Sequence, residues 1–456
     1  MTTLFAHQTY SLDFTADRPE VFDMSEPGTG KTAVHLLDFA RRYAKHGHPG
    51  IIFATKSLLQ SAWANDAAKF VPDLPISVAW AENREEAFEK DAALYITNHD
   101  AVKWLAEHKP KLLKRLLYMG TDESTAYKHS TSQRSKAAMF VRNQLPRNHP
   151  DVAARNLSGT PSPNGILDLW HQAYLLDFGK RLGASYFKFR AATCDAVQVG
   201  PKPEHVQWVQ REGAEEAVAA LLADITIRHE LRACVDMPEQ VVYTVPFKLT
   251  PKHRAIYEKM EKDMLVDVGP HQVIALNGAV LYTKLLQIAS GSVYGQDDEV
   301  SIDQQRYELV MDLAEQRRHS LVLFQWGHQR RALTELADKR GLSFAVIDGS
   351  TSAKERASIV ERYQAGFIRI LFGHPQSMGH GLTLTRGTAT IWASPTINQE
   401  WWEQANRRIF RIGQTERTET IVVCAQGTID EVVTADREVK EFNAIALLNA
   451  LKSYRR

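Results

Sequence analysis

Short apolar runs alternate with stretches of helical spacing over the first third of the chain. Val21-Phe22 leads into a glycine turn, Ile51-Ile52-Phe53-Ala54 follows, and Ala93-Leu94-Tyr95-Ile96 comes next. Such runs, bounded by turn residues and separated by helical segments, predict strands buried on both faces in a parallel sheet. From about residue 165 to 225 the pattern becomes helical and aromatic-rich, with Lys180, Arg181, Lys188 and Arg190 interleaved, and reads as an insertion. A second α/β unit begins near Val241-Val242-Tyr243. Helical sequence interrupts it from about 250 to 300, and it resumes with Leu321-Val322-Leu323-Phe324 and Ile370-Leu371-Phe372. The expectation is two α/β lobes, 1–236 and 237–456, each a largely parallel sheet flanked by helices and carrying a helical insertion.

Length supports this division, because 456 residues exceed one ordinary core. Hydrophobic residues at 44% and charged residues at 24% suit a globular chain and exclude a disordered or fibrous one. Lys and Arg number 55 against 54 Asp and Glu, so no global basic excess holds nucleic acid and any such site is local. Cys194, Cys234 and Cys424 are far apart, which argues against a zinc site and a disulfide framework. Neither a leader pattern nor an apolar stretch of about 20 residues is evident, so a soluble, cytoplasmic protein is expected.

Ser25-Glu26-Pro27-Gly28-Thr29-Gly30-Lys31-Thr32 stands between a strand and a helix, the setting of a phosphate-binding (Walker A) loop. Gly28, Thr29 and Gly30 would turn backbone N–H groups toward phosphate oxygens, Lys31 would meet the outer phosphates, and Thr32 would ligate magnesium. Ser25 stands where the pattern usually begins with glycine. A strand ending Gly120-Thr121-Asp122-Glu123 supplies two carboxylates: Asp122 to hold the metal, Glu123 to orient the attacking water. Leu157-Ser158-Gly159-Thr160-Pro161 is a third strand end, whose hydroxyls could sense that pair. The strand and helix that flank the phosphate loop favour it over a glycine-rich helix cap, whereas read alone the acidic pair is a solvated cap or loop and Ser158–Pro161 an ordinary turn.

In order, these motifs resemble superfamily 2 helicases, and more closely the Swi/Snf-type DNA translocases. Leu4-Phe5-Ala6-His7-Gln8 is similar to the family's adenine-reading segment, which makes Gln8 the adenine contact. Ile52 to Leu59 with Trp63, and Tyr95-Ile96-Thr97-Asn98-His99, resemble its DNA-facing strand ends. In the second lobe, Val322 to Trp326, Ile347-Asp348-Gly349-Ser350-Thr351 with Arg356, Gly379 to Thr385, and Gln404 to Gln414 match the later motifs. The last closes on Arg411-Ile412-Gly413-Gln414, a recognisable signature of that branch.

The resemblance implies two RecA-like lobes and an ATP- and Mg2+-dependent hydrolase moving along duplex DNA. Arg408 and Arg411, three apart on one face if residues 406–410 are helical, become arginine fingers. Lys56, Thr97, Ser377 and Thr383 become the nucleic-acid contacts, gripping the backbone without reading sequence. The chain is little longer than the motor itself and is expected to act as a monomer, with a separate protein partner left open. Departures from the family pattern are Ser124-Thr125 in place of Ala or Gly then His, Phe410 in place of His, and no acid within Ser394-Pro395-Thr396. Two other readings stay open: a single-strand- or RNA-directed helicase, and a binding module that uses ATP structurally.

Overall fold

The computed structural model describes residues 4–439 apart from 57, 147–148, 199–204, 269–270, 275–277, 296–298 and 379–381. Within them the chain separates into two units, residues 4–236 and 237–439.

The first unit is built on a seven-stranded sheet of β1 (Glu20–Asp23), β2 (Gly50–Ala54), β3 (Ile76–Ala79), β4 (Leu94–Asn98), β5 (Tyr118–Asp122), β6 (Ala153–Leu157) and β9 (Thr226–Ile227). Their order is β3-β4-β2-β5-β6-β1-β9, and every pairing is parallel. The apolar runs form strands because both faces are covered. Ile51 and Phe53 join Tyr95 and Met119 in one core, whereas Ile52 and Ala54 join Leu36, Phe39 and Ile96 in the other. This is the two-residue period of a strand buried on both sides.

Besides the carboxylates at the ends of β1 and β5, the sheet buries an arginine. Arg155, in β6, is fully buried; its Nε donates to Asp38 Oδ2 at 2.9 Å, and its other nitrogens donate to the carbonyls of Pro19 (2.9 Å) and Arg18 (3.0 Å). Asp38 also accepts Arg41 at 2.9 Å and Arg42 at 3.2 Å. An arginine is tolerated there because its donors are met by a carboxylate and by backbone carbonyls.

The region expected to be a helical insertion holds helices Leu169–Asp177, Tyr186–Thr193 and Ala214–Leu222, but also an antiparallel hairpin of β7 (Cys194–Gln198) and β8 (Val206–Gln210). Most of its aromatics are packing residues: Trp170 and Phe189 are buried, while Phe187 is exposed. Arg190 lies 3.8 Å over the Trp208 ring, which joins the hairpin to the helix before it.

The second unit has a six-stranded sheet of β10 (Gln240–Phe247), β15 (Ser320–Leu323), β16 (Phe344–Ile347), β17 (Ile370–Gly373), β18 (Ala389–Trp392) and β19 (Thr418–Ala425). Its order is β10-β19-β18-β15-β17-β16, again entirely parallel. Between β10 and β15 lie helices Pro251–Asp263 and Gly278–Ala289 with two hairpins, β11 (Leu265–Val268) with β12 (His271–Ile274) and β13 (Ser292–Tyr294) with β14 (Glu299–Ser301). Both sheets thus bear out the two-lobe α/β expectation. Among the described residues, no helix is long and apolar enough to cross a membrane.

Candidate nucleotide site

In a parallel sheet every strand delivers the loop after it to the same edge, the carboxyl end, where ligands of α/β sheets bind. The strands β5, β6 and β1 are neighbours. The acidic pair, the Ser158–Pro161 turn and the phosphate loop therefore emerge side by side. Topology brings together three motifs that are more than 30 residues apart in sequence.

The phosphate loop turns at two left-handed glycines, Gly28 (φ 91°) and Gly30 (φ 86°), and enters the helix Lys31–His46. A side chain at Gly30 would meet the backbone strain of that conformation and would also collide with the Gln8 amide. Gln8 Nε2 donates to the Thr29 carbonyl at 3.4 Å, and His7 Nε2 contacts the same oxygen at 2.8 Å. The Thr29 hydroxyl closes the turn on the Glu26 carbonyl at 2.9 Å. Lys31 Nζ donates to the carbonyls of Ser25 (2.6 Å) and Glu26 (3.2 Å), so the ammonium is folded over the loop that encloses it. Thr32, next along, is half-buried.

Ser25 shows why glycine is not needed at the start of this loop. Its hydroxyl accepts the His229 N–H at 3.1 Å, and its own N–H donates to Asp23 Oδ1 at 3.0 Å. The segment after β9 grips the loop further: Leu231 N–H donates to Glu26 Oε2 at 3.0 Å, Arg228 lies 3.5 Å from Glu26 Oε1, and the Glu26 N–H donates to the His229 carbonyl at 2.9 Å. Beneath the loop, His35 Nε2 donates to Asp23 Oδ2 at 3.1 Å. Burial alone would raise the Asp23 pKa; the hydrogen bond and charge of His35, with the charge of Lys31, outweigh it and hold the group at about 2.

Asp122 ends β5, buried, with Oδ2 accepting Trp63 Nε1–H at 2.8 Å and Oδ1 accepting the Glu123 N–H at 3.1 Å. The indole fixes the carboxylate. Glu123 follows with φ 53° and ψ 58°, a left-handed conformation uncommon outside glycine, at the head of a short turn Ser124–Tyr127. The Ser158–Pro161 turn is fixed on the other side: Ser158 N–H donates to the Asp23 carbonyl at 3.0 Å, and a Cβ on Gly159 would fall 2.6 Å from Pro27 Cδ.

Several expected residues are placed differently. Thr97 is fully buried and donates its hydroxyl to the Ala79 carbonyl at 3.0 Å, so it has no face for a phosphate and its assignment as a nucleic-acid contact does not hold. Lys56 is exposed, 4.0 Å from Glu82; Ser377 and Thr383 are half-buried at and beyond the carboxyl end of β17. Ser57, Gly379, His380 and Gly381 lie outside the described residues. Arg408 and Arg411 do not share a helix face, because the helix Gln399–Asn406 ends before them. Asn406 Oδ1 accepts Trp392 Nε1–H at 3.0 Å, Arg408 is buried, and Arg411 Nη1 donates to the Leu382 carbonyl at 2.8 Å. Gln414 Nε2 spans the carbonyls of Gly387 (2.9 Å), Thr385 (3.1 Å) and Ile409 (3.3 Å), which pins the closing signature to the segment before β18. Phe410, in place of a family histidine, is core.

Sequence reasoning missed the roles of Trp63, Arg228 and His229. A tryptophan in the sequence carries no mark of where its one polar atom will point, and residues 228–229 reach the loop only through the pairing of β9 with β1. Among the described residues, no group of three or more His, Cys, Asp or Glu side chains could hold a metal by itself.

Residues 23–317 match the SNF2-related domain, and residues 305–413 match the helicase conserved C-terminal domain. Protein p41 of Acyrthosiphon pisum secondary endosymbiont phage 1 is 29% identical over 455 residues, covering 93% of each chain. An uncharacterized ATP-dependent helicase of Mycoplasma pneumoniae is 24% identical over 421 residues, 90% of this chain and 38% of that protein. The SWI/SNF-related matrix-associated actin-dependent regulator of chromatin subfamily A-like protein 1 of Xenopus tropicalis is 24% identical over 425 residues, 89% of this chain and 40% of that one. This chain therefore spans less than half the length of the latter two. The Sulfolobus solfataricus SWI2/SNF2 ATPase core in complex with dsDNA aligns over 98% of this chain and 96% of its own, at 18% identity and a TM-score of 0.44. With the SNF2-related model alone covering more than half of it, the chain belongs to the SNF2-related family of superfamily 2 helicase-like, ATP-hydrolysing motors.

Proposed function

We propose that the chain is a DNA-stimulated ATPase that couples hydrolysis to movement along the backbone of duplex DNA. The observation that carries the reading is the convergence, at one end of adjacent strands β1, β6 and β5, of a left-handed glycine loop with its lysine, a hydroxyl turn and an acidic pair. That set suits a nucleoside triphosphate. Gly28, Thr29 and Gly30 offer backbone donors, Lys31 exchanges its two loop carbonyls for phosphate oxygens, and Gln8, already on the loop, reads the base. Glu123 orients the attacking water, and Arg408 and Arg411 are assigned to charge on the transferring phosphoryl group.

Thr32 and Asp122 would hold Mg2+. A hydroxyl and a carboxylate are the hard oxygen donors this ion accepts alongside phosphates and water. The ion, when bound, screens charge on the phosphates. On the DNA side Lys56, Ser377 and Thr383 remain as backbone contacts, so binding falls with salt and shows weak sequence preference.

The test is steady-state ATP hydrolysis at fixed salt, without nucleic acid and with duplex DNA, single-stranded DNA or RNA. Stimulation chiefly by duplex is expected. Stimulation by single strands or RNA instead would replace the reading with a helicase acting on those, and Lys31→Ala retaining full turnover would remove the phosphate-loop assignment altogether.

A further inference from the structure

A buried chain of hydrogen bonds joins the acidic pair to the Ser158–Pro161 turn through Gln172, on the helix Leu169–Asp177. Gln172 Nε2 donates to the carbonyls of Pro161 (2.6 Å) and Asp168 (2.8 Å), while Oε1 accepts the hydroxyl of Ser124 at 2.6 Å. Gln172 and Ser124 are both fully buried. Both amide protons face carbonyl oxygens, which only accept, so the amide has one workable orientation and Ser124 must be the donor. A second path runs alongside: Thr121 Oγ1 donates to Asn156 Oδ1 at 2.6 Å, and Asn156 Nδ2 donates to the Gln172 carbonyl at 2.8 Å. The turn reached this way also presses Gly159 against Pro27 of the phosphate loop.

We propose that Gln172 is a positioning residue that holds Ser124, and with it the adjoining Glu123 backbone, to the Ser158–Pro161 turn. Phosphate loop, turn and acid then shift as one body when the nucleotide changes. Ser124, a departure from the family's Ala or Gly, is the hydroxyl this link requires. The inference rests on Glu123 being the carboxylate that orients water. Water is excluded from the link, so a broken bond leaves a buried polar group without its partner and lets the acid drift, and small displacements of a reacting group weigh heavily on rate.

The experiment uses the full chain with Ser124→Ala, Gln172→Leu, the double variant and Gln172→Glu, measuring ATP KM and kcat with and without duplex DNA. KM is expected to stay within about threefold while kcat falls roughly tenfold or more, since misplacement touches the transition state more than the ground state. The double variant should match Gln172→Leu, because one link can be cut only once. Gln172→Glu can donate to Pro161 only when protonated, so its kcat should recover, relative to the parent, as pH is lowered. Unchanged kcat in folded single variants, losses that multiply in the double variant, or a Gln172→Glu pH profile parallel to the parent's would each overturn the proposal. If Gln172→Leu does not fold, the smaller change Ser124→Ala decides alone. Glu123→Gln measured beside them separates the two layers: a Glu123→Gln enzyme that still turns over removes the site reading itself, whereas an inert one with silent Ser124 and Gln172 variants removes only the link.

Discussion

Replacing Ser25 with glycine would bring the phosphate loop into line with the usual pattern, and it is expected to weaken the protein. Ser25 is not among the residues with positive φ, so the conformational freedom of glycine has no use there. The serine hydroxyl, by contrast, accepts the His229 N–H in a part-buried setting. Losing that acceptor costs about 1 kcal/mol, at the lower end for an unmet donor that water can partly reach. The added backbone entropy of glycine costs about 0.5–1 kcal/mol more. The sum, about 1.5–2 kcal/mol, corresponds to a fall of roughly 3–8 °C in the transition of a unit of this size. Differential scanning calorimetry of Ser25→Gly and Ser25→Ala reads both parts, since alanine removes the hydroxyl without the entropy term. A Ser25→Gly protein that melts with or above the parent would refute the role given to this serine.

Acid should act on the first unit through its buried carboxylates. Burial would raise the Asp38 pKa, but Arg155 and Arg42 outweigh it and hold the group at about 2, below the ordinary 3.8. A folded-state value below the unfolded one means stabilisation that is complete above about pH 4 and lost as pH falls toward 2. Asp38→Asn should flatten that part of the stability-against-pH curve and cost about 3–5 kcal/mol at neutral pH, by leaving buried Arg155 without its carboxylate; chemical denaturation across pH checks both. Trp63→Phe keeps an aromatic side chain, though a smaller one, and removes the donor to Asp122, a hydrogen bond to a charged group worth about 1.5–3 kcal/mol, so ATP turnover at low magnesium should fall roughly tenfold or more. Thr97→Val should leave DNA affinity and its salt slope unchanged; a reduced slope would return Thr97 to the DNA-facing set.

What could be read in advance follows from what each interaction depends on. The strands β1, β2, β4 and β5 were visible because a strand buried on both faces carries a short apolar run, and Ile51 to Ala54 can serve little else. The hairpin of β7 and β8 was not, because it is a solvent-facing ribbon whose residues carry no continuous apolar signal. The phosphate loop and acidic pair were legible as local strings whose backbone conformation is encoded by neighbouring residues. Thr97 was misjudged because hydrogen-bonding capacity does not tell which face of a strand a hydroxyl occupies. Arg408 and Arg411 were given a common helix face that ends one turn too soon. Gln172 had a signal, a polar residue in a helix buried along nearly all its length, but its partners come from two other strand ends that only the sheet order makes adjacent.

The left-handed backbone at Glu123 has an evolutionary consequence. Holding a glutamate there costs about 1–2 kcal/mol relative to glycine, which adopts this conformation freely. On the role proposed for Glu123, a copy of the chain relieved of selection for turnover could drift to Glu123→Gly and shed that backbone cost at the expense of hydrolysis. On that reading, persistence of the glutamate in a lineage would record continued use of the site, since the backbone conformation alone favours glycine there.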